Sequence, residues 1–176
     1  VGYNLHRYKS PSRAWAVYAM DNKIGEEGQC NGRSGKSFFL TSLKQFLRTV
    51  VLSGRNPKLM DNNHVFEQVN QHTDFIIVDD RHRYLDTGLF YDSITGGMTV
   101  NPKNNHSFYI EFESSPKFAF STNYVPGNFD SSSDARLIYT VFSDYYHQKT
   151  DENDYLETRS IYDDFGKNLF SQTDYT

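Results

Sequence analysis

The feature that most constrains this chain is a series of short apolar runs, each closed by polar residues and separated by stretches with a different period. "AWAVYAM" (14–20), "TVVLSG" (49–54), "DFIIVDD" (74–80) and "KFAFSTN" (117–123) are too short for buried helices and read as buried strands. "KSFFLTSLKQFL" carries Phe39, Leu40, Leu43, Phe46 and Leu47 at helical spacing, which predicts a helix from about Ser37. "DNNHVFEQVNQH" (61–72), with Asp61 as a cap, predicts a second helix, and "LDTGLFYDSI" (85–94) looks helical. "MTVNPKNNHSFYIEF" alternates on both sides of a polar centre, as a hairpin does. "ARLIYTVFSDYY" supplies a last strand. In "RSIYDDFGKNLF", Ile161, Phe165, Leu169 and Phe170 fall on one side of a closing helix that would pack on the core or on a neighbour. Strands alternating with helices predict an α/β fold: a mostly parallel sheet with helices on both faces and an inserted β-hairpin.

In such sheets ligands bind at the carboxyl ends of the strands, and the polar clusters of this chain sit there. Residues 25–35 hold four glycines and no apolar run, so they form a loop between a strand and a helix. That loop ends in Gly35-Lys36-Ser37. A phosphate-binding loop has this arrangement: backbone N–H groups from Asn31, Gly32, Arg33, Ser34, Gly35, Lys36, Ser37 and Phe38 would face phosphate oxygens. Lys36 would reach the β/γ-phosphates of ATP, and the Ser37 hydroxyl would meet Mg²⁺. The usual pattern has a glycine where this chain has Cys30, a variant of loop geometry with no thiol chemistry implied. The bland alternative is a glycine loop that merely caps a helix.

Asp79 and Asp80 end the most apolar run. Beside a phosphate loop, Asp79 suits the metal, directly or through water, and Asp80 suits the attacking water; alone, they are two acids at a solvated strand end. Asn123 ends the "KFAFSTN" strand, where it could hydrogen-bond both a γ-phosphate and the lytic water, or simply start a loop.

These elements together, "GQCNGRSGKS", "DFIIVDD", "GGMTVNPKNNHSFYIEF" and "KFAFSTNYVP" in that order, resemble superfamily 3 helicases of the AAA+ class, including the ATPase half of phage- and plasmid-type primase-helicases. The resemblance covers roughly residues 14–145. It implies a P-loop ATPase core using ATP and Mg²⁺, with Lys36, Asp80 and Asn123 catalytic and Ser37 and Asp79 at the metal. It also implies a ring, of six subunits in that family, acting on single-stranded or forked DNA. Lys103 and His106 at the hairpin tip would then contact the DNA backbone, a contact without base specificity. Arg136 is the one arginine in the region where the family supplies a finger to the neighbouring subunit; an ordinary surface ion pair is the equal alternative. Arg81 and Arg83, just past the acids, are further candidates for subunit or DNA contacts.

Composition narrows the partners. One cysteine excludes an internal disulfide, and a net charge of −4 means that any nucleic-acid contact rests on a local basic feature. Aromatics at 16% predict an aromatic core. No apolar run is long enough for a membrane helix, so no membrane partner is expected. The organisation expected is a polar lead-in over 1–13, the ATPase core over 14–145 and a C-terminal extension over 146–176. The abrupt start at Val1 suggests a piece of a longer polypeptide whose remainder could hold a primase domain. A cytoplasmic setting follows from the family, that of a bacterial host if the source is a phage or plasmid. Two other functions compete with the motor: a small P-loop kinase, and a nucleotide-responsive oligomeric scaffold with weak or no hydrolysis.

Overall fold

The structure, a computed structural model, describes residues 2–22, 34–124, 131–167 and 169. Five strands form the main sheet: β1 (Ala16–Asp21), β2 (Thr49–Ser53), β3 (Phe75–Asp79), β6 (Lys117–Ser121) and β7 (Leu137–Phe142). Their order is β2-β3-β6-β1-β7, and every pairing is parallel. The hairpin strands β4 (Met98–Val100) and β5 (Phe108–Ile110) pair antiparallel beside it. The α-helices are short: α1 (Lys36–Ser42), α2 (Tyr91–Thr95), α3 (Ser131–Arg136) and α4 (Ile161–Phe165). The expected parallel α/β architecture with an inserted hairpin is what forms.

Alternation along the strands sorts the core onto two faces. Ala19, Phe75, Ile77 and Ala119 pack under Leu40 and Leu43 of the α1 segment. Tyr18, Ile76, Val78, Phe118 and Phe120 point the other way, where α2, the hairpin and the turns of 61–72 cover them with Phe66, Phe90, Ile94 and Val100. This second face is the aromatic core: the Phe90 ring lies 5.2 Å from Phe120 and 6.2 Å from Phe118. Each such fully buried side chain contributes about 1.5–3 kcal/mol.

The same alternation positions polar groups at the carboxyl edge. Ala19 pairs with Ser121, and Val78 with Phe120, so the next level brings Asp79 beside Ser121. Asp21, Asp79 and Ser121 therefore share the face that α1 covers.

Two expectations are corrected. Residues 61–72 form no α-helix: a 3-10 turn (Leu59–Asp61) leads into successive turns. Asn62 and Asn70 accept hydrogen bonds at their side chains from the backbone of His64 (3.0 Å) and His72 (2.8 Å). Such side chains offer the backbone a partner that competes with the helix. The closing helix is likewise shorter than its apolar pattern suggests. It stops at Gly166, which takes the left-handed conformation (φ 67°), and Phe165 is more than half exposed. Phe170 lies outside the described residues.

The polar lead-in is fastened beneath the amino ends of β3 and β6. Arg7 donates to the carbonyls of Gln71, Thr73 and Ser114, Lys9 to Ser115 Oγ (2.5 Å), and Lys117 to the carbonyl of Tyr3. Among the described residues, no helix is long and apolar enough to cross a membrane.

Candidate functional site

Gly35 begins the site. Its φ of 90° belongs to the left-handed region, which glycine enters without strain, and its carbonyl accepts the first bond of α1 from Phe39 (2.8 Å). The helix thus starts at Lys36, directly above the ends of β1 and β3. Cys30, Asn31, Gly32 and Arg33 lie outside the described residues.

Lys36 turns inward. Its ammonium lies 2.5 Å from Asp21 Oδ2 and 3.2 Å from Ser34 Oγ, and Ser34 donates to the other oxygen of the same carboxylate. All three residues are buried. One residue on, Ser37 Oγ donates to Asp79 Oδ1 over 2.6 Å. The hydroxyl and the carboxylate expected to meet a metal are thus already in contact across the gap between α1 and β3.

Ser121 ties the two central strand ends together. Its hydroxyl donates to Asp79 Oδ1 (2.6 Å) and accepts from the backbone N–H of Asp80 (2.8 Å). Asp80 itself takes φ 54°, a left-handed conformation that Asp tolerates better than most residues. The turn returns its carboxylate to the same side, where Arg55 Nε donates to Oδ2 over 2.7 Å. Gly54 makes this approach possible: a Cβ there would lie 2.7 Å from the Cα of Arg81.

These groups surround one cavity of about 500 Å³, a size usual for small-molecule sites. Lys36, Ser37, Phe38, Asp79, Asp80 and Asn123 line it, as do Arg55 and Ser121. Tyr146, Ser160, Ile161 and Tyr162 of the C-terminal extension form a further wall. The Gly35-Lys36-Ser37 segment, the paired acids and the asparagine, with Lys36 and Asn123 separated by 87 positions in the chain (123 − 36), thus converge at one sheet edge.

The remaining expected residues lie elsewhere. Arg136 ends α3, with its guanidinium 5.3 Å from the centre of the Tyr91 ring, and is not among the cavity-lining residues. Lys103 and His106 are exposed in the hairpin turn, and Lys103 Nζ sits 3.6 Å from Glu67 Oε1. The hairpin base is anchored by His64, whose Nδ1 is 2.8 Å from the Asn101 carbonyl.

The residues fit a magnesium ion better than a transition metal. Among the described residues no group of three His, Cys, Asp or Glu converges, whereas Ser37 and Asp79 offer one hydroxyl and one carboxylate. Magnesium keeps several waters and takes one or two carboxylates together with substrate phosphates.

Asp21, Arg55 and Ser121 were not anticipated from sequence. Asp21 alone carried a usable signal: it follows Ala19 by two positions and so shares its face, one residue past the predicted end of the first strand.

No protein-family model matches the chain, and no curated protein matches it. Among solved structures, it is similar to the A form apo structure of the NrS-1 C-terminal region, with a TM-score of 0.49 and 14% identity over 74% of this chain. A second A form apo structure of that region gives 0.46 and 18% over 81%. The chain spans 29% and 31% of those two chains. Both TM-scores lie below 0.5, so the functional reading rests on the chain's own geometry.

Proposed function

We propose that this chain is a magnesium-dependent ATPase that drives a nucleic-acid motor in DNA replication, working as a ring oligomer on single-stranded or forked DNA. The observation that carries the reading is the convergence of Lys36, Ser37, Asp79, Asp80 and Asn123 on one cavity, with Ser37 hydrogen-bonded directly to Asp79.

Hydrolysis of ATP forms a bond from water oxygen to the γ-phosphorus and breaks the bond from that phosphorus to the β,γ-bridging oxygen, releasing ADP and phosphate. The protein's task is positioning and charge neutralisation. Lys36 supplies positive charge to the β/γ-phosphates on leaving Asp21. Ser37 and Asp79 would hold Mg²⁺, which when bound neutralises charge on the same phosphates. Asp80 orients the water, with Asn123 bonding it and the γ-phosphate from the neighbouring strand end. Ser121 fixes the spacing between the two strand ends through its paired bonds to Asp79 and Asp80. Arg136 would act on the adjacent subunit's site, and Lys103 and His106 on the DNA backbone.

One observation favours the second reading, a nucleotide-responsive scaffold with weak or no hydrolysis: the engagement of Lys36 by Asp21. ATP turnover and binding of a fluorescent ATP analogue, each with and without single-stranded DNA, separate the two. The motor reading expects DNA-stimulated turnover and loss of both signals in Lys36→Ala. Analogue binding without turnover supports the scaffold. Binding and turnover that survive Lys36→Ala reject the site.

A further inference from the structure

We propose that the turn following β3, residues 81–84, together with Tyr124, is a contact surface for single-stranded nucleic acid. In it the Tyr84 ring stacks on a base and Arg83 meets a backbone phosphate. The inference rests on the nucleic-acid part of the function proposed above and assigns a contact apart from the hairpin tip.

The turn combines cations and rings. Tyr84 is 67% exposed, yet its ring is braced: His82 lies 5.4 Å from it, and the Arg83 guanidinium 4.6 Å from its centre. Tyr124 flanks His82 at 6.4 Å. Aromatic faces bordered by arginines are what single strands stack on, because every base offers a π-face.

Among the described residues, neither Arg81 nor Arg83 has a carboxylate within ion-pair distance, the adjacent Asp80 being engaged by Arg55. Arg81 is buried, 5.8 Å from the centre of the Tyr18 ring, and its Nε and Nη1 have no hydrogen-bond partner among the described residues. An unneutralised guanidinium in a low-dielectric setting adds positive potential to the turn. Asp86, the nearest acid following, directs Oδ1 to the Gly88 N–H (2.8 Å). In a chain of net charge −4, this is the kind of local basic feature that nucleic-acid binding requires. Lys103 of the hairpin, by contrast, lies near Glu67.

The turn is also tied to the sheet. Arg81 N–H donates to the Ser121 carbonyl (2.7 Å), His82 N–H to that of Gly54 (2.9 Å), and Leu85 is fully buried beneath. Thr122 Oγ1 donates to the Arg81 carbonyl (2.9 Å). The turn begins at Arg81, next to Asp80, and Tyr124 follows Asn123, so the surface adjoins two residues that line the cavity.

The test is anisotropy of a fluorescein-labelled oligothymidylate, without nucleotide, on the full chain and its variants. Tyr84 and Arg83 are exposed, so their variants fold, which thermal melts verify. Tyr84→Ala is expected to weaken binding about ten-fold while Tyr84→Phe retains it. Arg83→Ala should reduce the slope of log K against log salt by about 0.7. Wild-type-like affinity and slope in Tyr84→Ala and Arg83→Ala overturn the inference and leave the motor reading standing. Unchanged affinity with an altered oligomer mass by light scattering also overturns it, and assigns the turn to a subunit contact. A wild-type chain that does not bind the oligonucleotide removes both this inference and the nucleic-acid part of the proposed function.

Discussion

The Lys36 ammonium and the Asp21 carboxylate meet at 2.5 Å with both side chains about 6% exposed, so the cation at the start of α1 is held by the last residue of β1. On the function proposed above, incoming phosphates would compete with this carboxylate for the same charge. In a buried pair, removing one partner strands the other's charge.

Asp21→Asn therefore has two opposed effects. Without nucleotide it lowers stability by about 3 kcal/mol, because Lys36 loses its counter-charge. With Mg·ATP the released Lys36 binds phosphate without competition, so the rise in Tm on adding Mg·ATP exceeds that of the wild type. Thermal denaturation with and without Mg·ATP checks both. An equal or smaller rise would mean that Asp21 does not compete for the lysine.

Gly54→Ala tests how the loops after β2 and β3 meet. The new methyl would lie 2.7 Å from Arg81 Cα and 3.0 Å from the Asp79 carbonyl oxygen, and backbone cannot yield as a side-chain tip can. A loss of about 1–3 kcal/mol in urea unfolding is expected, together with weaker nucleotide-analogue binding through displacement of Asp79 and Asp80.

The amino-terminal lead-in confers a pH dependence. Burial, reinforced by the nearby charges of Lys117 and Arg7, lowers the Lys9 ammonium to about 8, and burial lowers Lys117 to about 8 as well. Both start from an ordinary value of 10.5, so between those limits the unfolded chain binds more protons than the folded one. Stability accordingly rises with pH from about 8, by about 1–3 kcal/mol up to about pH 9.5. Above pH 10 the gain is opposed by Tyr18, which burial pushes up to about 12 and which ionises first in the unfolded chain. Urea midpoints across this range should climb in the wild type and flatten in the Lys9→Met, Lys117→Met double variant.

Lys103→Ala separates stability from binding at the hairpin. Its contact with Glu67 is long and exposed, so melting should move by less than the equivalent of about 0.5 kcal/mol. If the tip holds DNA, affinity for single strands falls and the salt slope drops by about 0.7. Unchanged affinity and slope would remove Lys103 from the DNA contact.

The strands were legible because each is a short apolar run with polar ends, and β3 in particular offers four buried residues between two acids. From that pattern the sheet edge followed, and with it the half of the cavity lining that the strand ends and the start of α1 supply; Thr122 and the wall from Tyr146, Ser160, Ile161 and Tyr162 did not. The segment 61–72 was misread because Val65, Phe66 and Val69 mimic helical spacing, while the intervening asparagines turn the backbone instead. Ser121 was not legible as a site residue, and for Asp21 the sequence offers only its spacing from Ala19. Their roles come from register between strands, and an acid or a serine at a strand end has no distinguishing neighbour in the chain. Arg55 depends on the curl of the chain at Asp80, which local propensity does not specify.

That curl has a consequence for the two adjacent acids. Consecutive residues of an extended strand point to opposite sides, so Asp79 and Asp80 would ordinarily be divided by the sheet and could not serve one triphosphate. The twist at Asp80 spares them that division, at the cost of a backbone shape that β-branched side chains resist. A Val or Ile at position 80 would therefore be doubly damaging, forfeiting the charge and pulling the strand straight, whereas Asn could keep the shape and so isolate the chemistry of the carboxylate alone.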